Sequence, residues 1–306
     1  MTGHAALYHA GRGFSVALPR RWAYGLGEGL ADLQWRVSAR DRHTVQANLS
    51  VIFEKPMPPD SPEVRGVFRN FGRYLVEFFR TYTAPPPTTI VEGREHLERL
   101  VRIKQGGIIL SAHLGNWELG GMALSRMGLR FSAVALPHRA PGVNRFFNRQ
   151  RLREGMGVIP LGPSATRACL TRIRQGEFVG ILGDREFGSN GIAVRLFGRS
   201  ILLPRGPALL SLRTGAPVIP VLMIREAPGH FRMFVEAPIL PNRQLPASAS
   251  NPAALVRQLT QTYTDTIERY IRRFPTQWLM FAPLDSLQPG DHSSDASCHL
   301  RAAAGL

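Results

Sequence analysis

Residues 108–118 read Ile108-Ile109-Leu110-Ser111-Ala112-His113-Leu114-Gly115-Asn116-Trp117-Glu118. The run Ile108 to Ser111, entered from Gly106-Gly107, is short, apolar and β-branched, which marks a buried strand. A helix near Asn116 to Arg126 follows at once and is stopped by Gly128. A strand that feeds directly into a helix is the repeating unit of a parallel sheet. His113 therefore falls at the carboxyl edge of a strand, where α/β proteins place their active sites.

Further along, the same alternation recurs. A strand over 131–136 follows, then a helix from about Val143 to Met156, closed by Gly157, and a strand Val158 to Leu161. Ser164 caps another helix ending at Gly176, with a strand Phe178 to Leu182 behind it. A short helix Gly206 to Arg213 leads to strands at 218–224 and 231–236, and a last helix covers roughly Pro252 to Phe274. Before residue 95 the pattern is helical. Trp22, Leu26, Leu30, Leu33 and Val37 repeat at spacings of one helix face, with Pro19 just ahead. Ser61-Pro62-Glu63 opens a helix whose apolar side carries Val64, Phe68, Phe71, Leu75, Phe78, Phe79 and Tyr82. Its other side carries Arg65, Arg69, Arg73 and Arg80, and Pro85-Pro86-Pro87 forbids continuation. The expected fold is α/β: a single mostly parallel, mixed central sheet flanked by helices, antiparallel near 218–236. A helical N-terminal region (1–92) packs on an α/β core (93–285), and residues 286–306 read as a disordered tail.

The chain has 306 residues, of which 44% are hydrophobic and 20% charged, an ordinary balance for a folded protein. Lys plus Arg number 38 against 22 Asp plus Glu, a net charge of +16. A preference for arginine over lysine (Lys55 and Lys104 are the two lysines) does not explain that excess, which fits an acidic partner. Two cysteines, Cys169 and Cys298, far apart, fit a reduced, cytosolic protein. Met1 to Ala10 has no apolar core of the signal-peptide kind. The longest apolar run, Ala216 to Ile224, is about half of the ~20 residues that a spanning helix needs. Membrane contact is therefore expected to be peripheral. The phenylalanine-rich helix over 61–83 fits either a core helix or an interfacial one with its arginines on anionic headgroups.

A carboxylate that holds an imidazole in one tautomer makes it a general base, and His113 with Glu118 has the residue types for this. Five residues do not return to the same stripe of a helix. The pair meets only if His113 stays in the loop while Glu118 folds back from the first turn. The alternative is a capping histidine and a solvated glutamate. Free backbone N–H groups at the helix start are candidates to hold a tetrahedral oxyanion. Arg149 and Arg153, four apart, share one face of the helix over 143–156 and are candidates to grip phosphates.

His-Leu-Gly-Asn-Trp-Glu at 113–118 also resembles, in its H-x-x-x-x-E spacing, the glycerolipid and lysophospholipid acyltransferase superfamily. As a longer string it resembles the bacterial late acyltransferases of lipid A biosynthesis (lauroyl and myristoyl transferases) and the related mannosyl-lipid acyltransferases of mycobacteria. Further blocks match in order over roughly residues 25 to 282. They are Arg42 to Phe53 with Val45, Asn48 and Leu49, Arg153-Glu154-Gly155-Met156-Gly157, Asp184-Arg185-Glu186, Phe197-Gly198, Pro204 to Ala208, Thr214-Gly215-Ala216 and Pro275-Thr276-Gln277-Trp278. The resemblance implies an O-acyltransferase that moves a fatty acyl group from acyl-ACP or acyl-CoA to a hydroxyl of a lipid A precursor or similar glycolipid. A lysophospholipid, mannosyl lipid or other lipid alcohol is the alternative acceptor. It implies His113 as base with Glu118 as the motif's acid, and Asp184 at the acidic position that orients the histidine in the mycobacterial relatives. Two carboxylates thus compete for one imidazole. Asn116, Arg149, Arg153, Arg185 and Glu186 become candidate substrate-binding residues, Arg153 with the stronger motif support. The setting implied is the cytoplasmic face of a bacterial inner membrane, against an anionic surface.

No metal cluster or phosphate-binding glycine loop is expected, since His4, His9, His292 and His299 lack ligand spacing, and no cofactor is implied. A nucleic-acid-binding protein fits the charge, but no nucleic-acid module is recognisable in the sequence.

Overall fold

The structure, a computed structural model, describes residues 3–81, 87–187, 190–241 and 252–284. Four helices open the chain: α1 (Gly3–Ala17), α2 (Arg20–Val37), α3 (Ala39–Ile52) and α4 (Pro62–Phe79). Next come β1 (Thr88–Glu92), α5 (Arg94–Arg102), β2 (Gly107–Ser111), α6 (Trp117–Arg126), β3 (Phe131–Ala135) and α7 (Pro141–Arg153). Then follow β4 (Gly157–Pro160), α8 (Ala165–Arg174), β5 (Phe178–Leu182), and a hairpin of β6 (Ile192–Leu196) and β7 (Arg199–Leu203). The remaining elements are α9 (Gly206–Thr214), β8 (Val218–Ala227), β9 (His230–Val235) and α10 (Pro252–Arg273).

The central sheet has the order β1-β9-β8-β2-β5-β3-β4. From β8 to β4 every neighbour is parallel; β9 runs antiparallel to β8, and β1 lies parallel to β9. This is the mixed α/β sheet that the sequence predicts. Alternation along β2 sends Ile108 and Leu110 into one core and Ile109 into the other. The first core is closed by α8, α9 and α10, through residues such as Cys169, Leu210 and Ile267. The second is closed by α5, α6 and α7, through Leu97, Met122 and Phe147. Burial on both faces is why the strand reads as a continuous apolar run.

Three features differ from the sequence reading. The region 1–92 is not wholly helical: Thr88 to Glu92 form the edge strand β1, so this region completes the sheet. α1 and α3 are helices that apolar periodicity did not announce. The β6–β7 hairpin was also unannounced. It turns on Phe197 and Gly198, both at positive φ (51° and 75°), the pattern of a two-residue primed turn. For α4 the sequence left two readings open, a core helix or an interfacial one. Its Val64, Val67 and Phe68 join one core and Phe78 and Phe79 the other, so its apolar face is covered by protein. Three of its arginines are paired with acids of a neighbouring helix, though their side chains stay partly exposed. Arg65 donates to Asp32 at 2.8 and 2.6 Å, Arg69 donates to the same carboxylate at 2.9 and 2.8 Å, and Arg73 Nε meets Glu28 at 2.8 Å. Of the two readings of this helix, the core one holds.

Both acids belong to α2, which crosses α4 where two glycines meet. A Cβ on Gly72 would sit 2.4 Å from the Gly27 carbonyl oxygen, so backbone rests on backbone. α2 therefore buries its small side, Ala23, Gly27 and Ala31. The expected disordered tail, 286–306, lies outside the described residues. No described helix is long and apolar enough to cross a membrane.

Candidate active site

β2 and β5 are adjacent parallel strands paired at a constant offset, Gly107 with Phe178 through to Ser111 with Leu182. Two residues beyond each strand end, the same offset of 71 brings His113 to Asp184. The His113 ring Nδ1 lies 2.9 Å from Asp184 Oδ1, and the His113 backbone N–H donates to Oδ2 at 2.9 Å. Trp278 Nε1 donates to the same Oδ2, also at 2.9 Å. Burial of Asp184 is complete and by itself favours the neutral acid. The charge of His113 and the three hydrogen bonds outweigh it and hold the carboxyl below its ordinary value. Asp184 is accordingly an anion that fixes the imidazole. Engaging Nδ1 in this way leaves Nε2 to carry the lone pair.

Of the two competing carboxylates, Asp184 meets the imidazole. Glu118, buried in the first turn of α6, instead takes a bidentate pair from Arg151: Nε donates to Oε2 at 2.9 Å and Nη2 to Oε1. Arg151 also donates to Asn148 Oδ1 at 3.0 Å, and its guanidinium lies over the Phe147 ring at 5.8 Å. Burial works against the Arg151 charge, but Glu118 more than restores it. This ion pair ties α6 to α7 directly behind the histidine loop.

The loop is pinned on its remaining sides. Gly115 stands at φ +65°, and a Cβ there would lie 2.0 Å from the Met223 carbonyl oxygen, so only glycine passes. The N–H groups of Gly115 and Asn116 donate to Gln277 and Met223, at 2.9 and 2.8 Å, and that of Leu119 to Asn116 Oδ1 at 3.1 Å. The N–H groups of Gly115, Asn116 and Leu119 are thus spent on structure. The His113 carbonyl accepts from Leu279 at 2.7 Å. Asn116, fully buried, caps α6 and donates to Glu77 Oε2 at 2.7 Å. Glu77 in turn binds Arg225 bidentately and accepts from Tyr24 at 2.7 Å. Asn116 is thus a structural cap and not a substrate contact.

An apolar cavity of about 700 Å³ opens beside the ring, within the range of small-molecule sites. His113, Trp117, Tyr74, Phe131, Gly180 and Arg185 are among its lining residues. Trp117 meets the His113 ring edge-on at 5.0 Å and stacks on Tyr74 at 4.5 Å. Arg185 follows Asp184 at the wall, over the Phe187 ring at 4.7 Å, and its Nη2 has no partner among the described residues. Glu186 also lines the cavity. Arg149 and Arg153 are exposed and do not reach it. Between them, on the opposite helix face, Arg151 does. The clue was present in the sequence: Arg151 lies four residues after Phe147, hence on the apolar stripe. Among the described residues no three His, Cys, Asp or Glu side chains come together as a metal site.

The family model of the bacterial lipid A biosynthesis acyltransferases matches residues 3–284. The chain is also similar to the phosphatidylinositol mannoside acyltransferase of Mycolicibacterium smegmatis, 26% identical over 295 residues, 90% of this chain and 89% of that one. The protein of that name from Mycobacterium tuberculosis is 26% identical over 238 residues, 74% of this chain and 72% of its own. A histidine held by a buried carboxylate at the wall of an apolar cavity, within a sequence matched almost end to end, leads to one conclusion: the chain is an acyltransferase and belongs to the bacterial lipid A biosynthesis acyltransferase family.

Proposed function

We propose that this enzyme transfers a fatty acyl group from a thioester donor, acyl-ACP or acyl-CoA, to a sugar hydroxyl of a membrane glycolipid, with His113 as general base. The observation that carries the proposal is the 2.9 Å contact between His113 Nδ1 and buried, ionised Asp184 at the edge of the apolar cavity. Nε2 takes the proton of the acceptor hydroxyl while its oxygen attacks the thioester carbonyl carbon. The charge on the tetrahedral oxygen falls to Arg185, whose Nη2 is unpaired among the described residues. The C–S bond then breaks, the ester forms, and the imidazolium returns its proton to the leaving thiolate. Asp184 stabilises the imidazolium throughout. The acyl chain lies in the cavity, whose walls offer it the burial that water does not.

The acceptor class is supported by the family and by the names of the relatives, which specify glycolipids. The site of action that fits is the cytoplasmic face of the inner membrane, with the protein attached peripherally. The test is transfer of labelled acyl groups by the purified chain to a lipid A precursor, a phosphatidylinositol mannoside and a lysophospholipid. His113→Ala lowers turnover about 10²–10⁴-fold with its melting curve preserved. A well-folded variant within tenfold of wild type removes His113 from the mechanism, and preference for the lysophospholipid removes the glycolipid.

A further inference from the structure

α2 presents two faces of opposite character. Its small residues and both acids turn inward to α4, as described above. Its large apolar residues, Trp22, Leu26, Leu30, Leu33 and Val37, turn outward and are between 43% and 72% exposed. They form a stripe about 22 Å long at 1.5 Å per residue. Soluble proteins seldom leave so continuous an apolar face in water. Gly25 and Gly29 lie along the same exposed surface, and a Cβ at either would meet nothing within 4 Å. No acid interrupts it. Glu28 and Asp32 are committed to Arg73 and to Arg65 with Arg69. The charges at its ends are exposed Arg21 and Arg36.

We propose that the outer face of α2 is the surface by which the enzyme docks on an anionic lipid bilayer. The inference rests on the acceptor being a membrane lipid for its purpose, though not for its observations. Leucines and a tryptophan enter the boundary between headgroups and acyl chains while the flanking arginines meet anionic phosphates. A second copy of the chain fits less well. Pairing two such stripes brings Arg21 and Arg36 together with no acid on either outer face to receive them. A bilayer supplies that counter-charge. The Arg65 and Arg69 pairs serve this surface indirectly, because they draw the acids of α2 away from the lipid.

The experiment is co-sedimentation of the full chain with vesicles of phosphatidylcholine alone or mixed equally with phosphatidylglycerol. Wild type pellets with the anionic vesicles, and salt weakens it. Leu30→Glu with Leu33→Glu lowers the partition coefficient at least tenfold, and Arg21→Gln with Arg36→Gln removes most of the anionic preference. Both pairs are on the surface, so melting curves stay close to wild type. Transfer to a detergent-dispersed acceptor also stays close to wild type, which separates failure of docking from failure of the proposed chemistry. Fluorescence gives an independent reading: vesicles blue-shift wild type, and Trp22→Phe abolishes that shift. Undiminished sedimentation of the glutamate pair, or a blue shift that survives in Trp22→Phe, overturns the proposal. A vesicle-free dimer that the glutamate pair dissolves overturns it in favour of a second copy.

Discussion

Asp184→Asn replaces one oxygen by NH2 in a fully buried pocket that presents three N–H groups. Two orientations are open to the amide. With its NH2 at the Oδ2 position, it faces the His113 backbone N–H and the Trp278 indole N–H, leaving two buried donors unsatisfied. Each such donor costs about 1–3 kcal/mol, hence about 2–6 kcal/mol together. With its oxygen at that position, both of those bonds survive and the NH2 faces His113 Nδ1. This second orientation wins, and it forces Nδ1 to accept. The proton then moves to Nε2, and the base is lost. The expected effect is therefore on the tautomer more than on the fold. Turnover falls on the order of 10³–10⁴-fold, as expected for a base held in the wrong tautomer, while the protein stays folded near neutral pH. The sign with pH follows from the depressed carboxyl. Its stabilising contribution is present above the ordinary value of 3.8 and is lost as pH falls through the lower folded value, so the wild type's advantage in stability shrinks at acid pH. The assay is single-turnover acyl transfer, with melting followed as a function of pH. A folded Asp184→Asn enzyme within tenfold of wild type refutes the reasoning.

Glu118→Gln leaves Arg151 buried without its counter-charge and costs about 3–5 kcal/mol in urea unfolding; a variant as stable as wild type would show the pair to be dispensable. Phe131→Leu removes the ring that stands against Gly180, where a Cβ would lie 2.4 Å from its tip. It enlarges the cavity and shifts preference toward longer acyl chains in a competition between donors of mixed length, and an unchanged preference would place the chain elsewhere.

The strand before His113 and the helix after it were legible because the decisive signals there are local: an apolar run, a glycine and a cap. So were most of the βα units. The pairing of His113 with Asp184 was not, since it depends on which strand lies beside β2, a fact set by sheet order. Sequence distance favoured Glu118, and the buried Arg151 that claims it sat between the two arginines chosen for their spacing. α2 was legible only in part. Its periodicity marked a helix correctly, but the large apolar stripe was not the packed side. Gly27 and Gly72 let the backbones touch, and hydrophobicity does not register contact made by residues without side chains. The β6–β7 hairpin was hidden by Phe197, a bulky residue at a positive φ that normally belongs to glycine or asparagine.

Because the His113–Asp184 contact is written into the hydrogen-bond register of two neighbouring strands, the surface connections between them do not set it. The interval between them carries β3 and β4, which extend the same sheet beyond β5, together with the helices α6, α7 and α8 that connect the strands. Lengthening a surface connection in that interval, such as the turn around Gly162, leaves the histidine and aspartate where they are. One residue inserted within β5 would instead turn Asp184 to the opposite face. Changes in those surface connections therefore leave the histidine–aspartate contact intact, whereas a change of register in either strand breaks it.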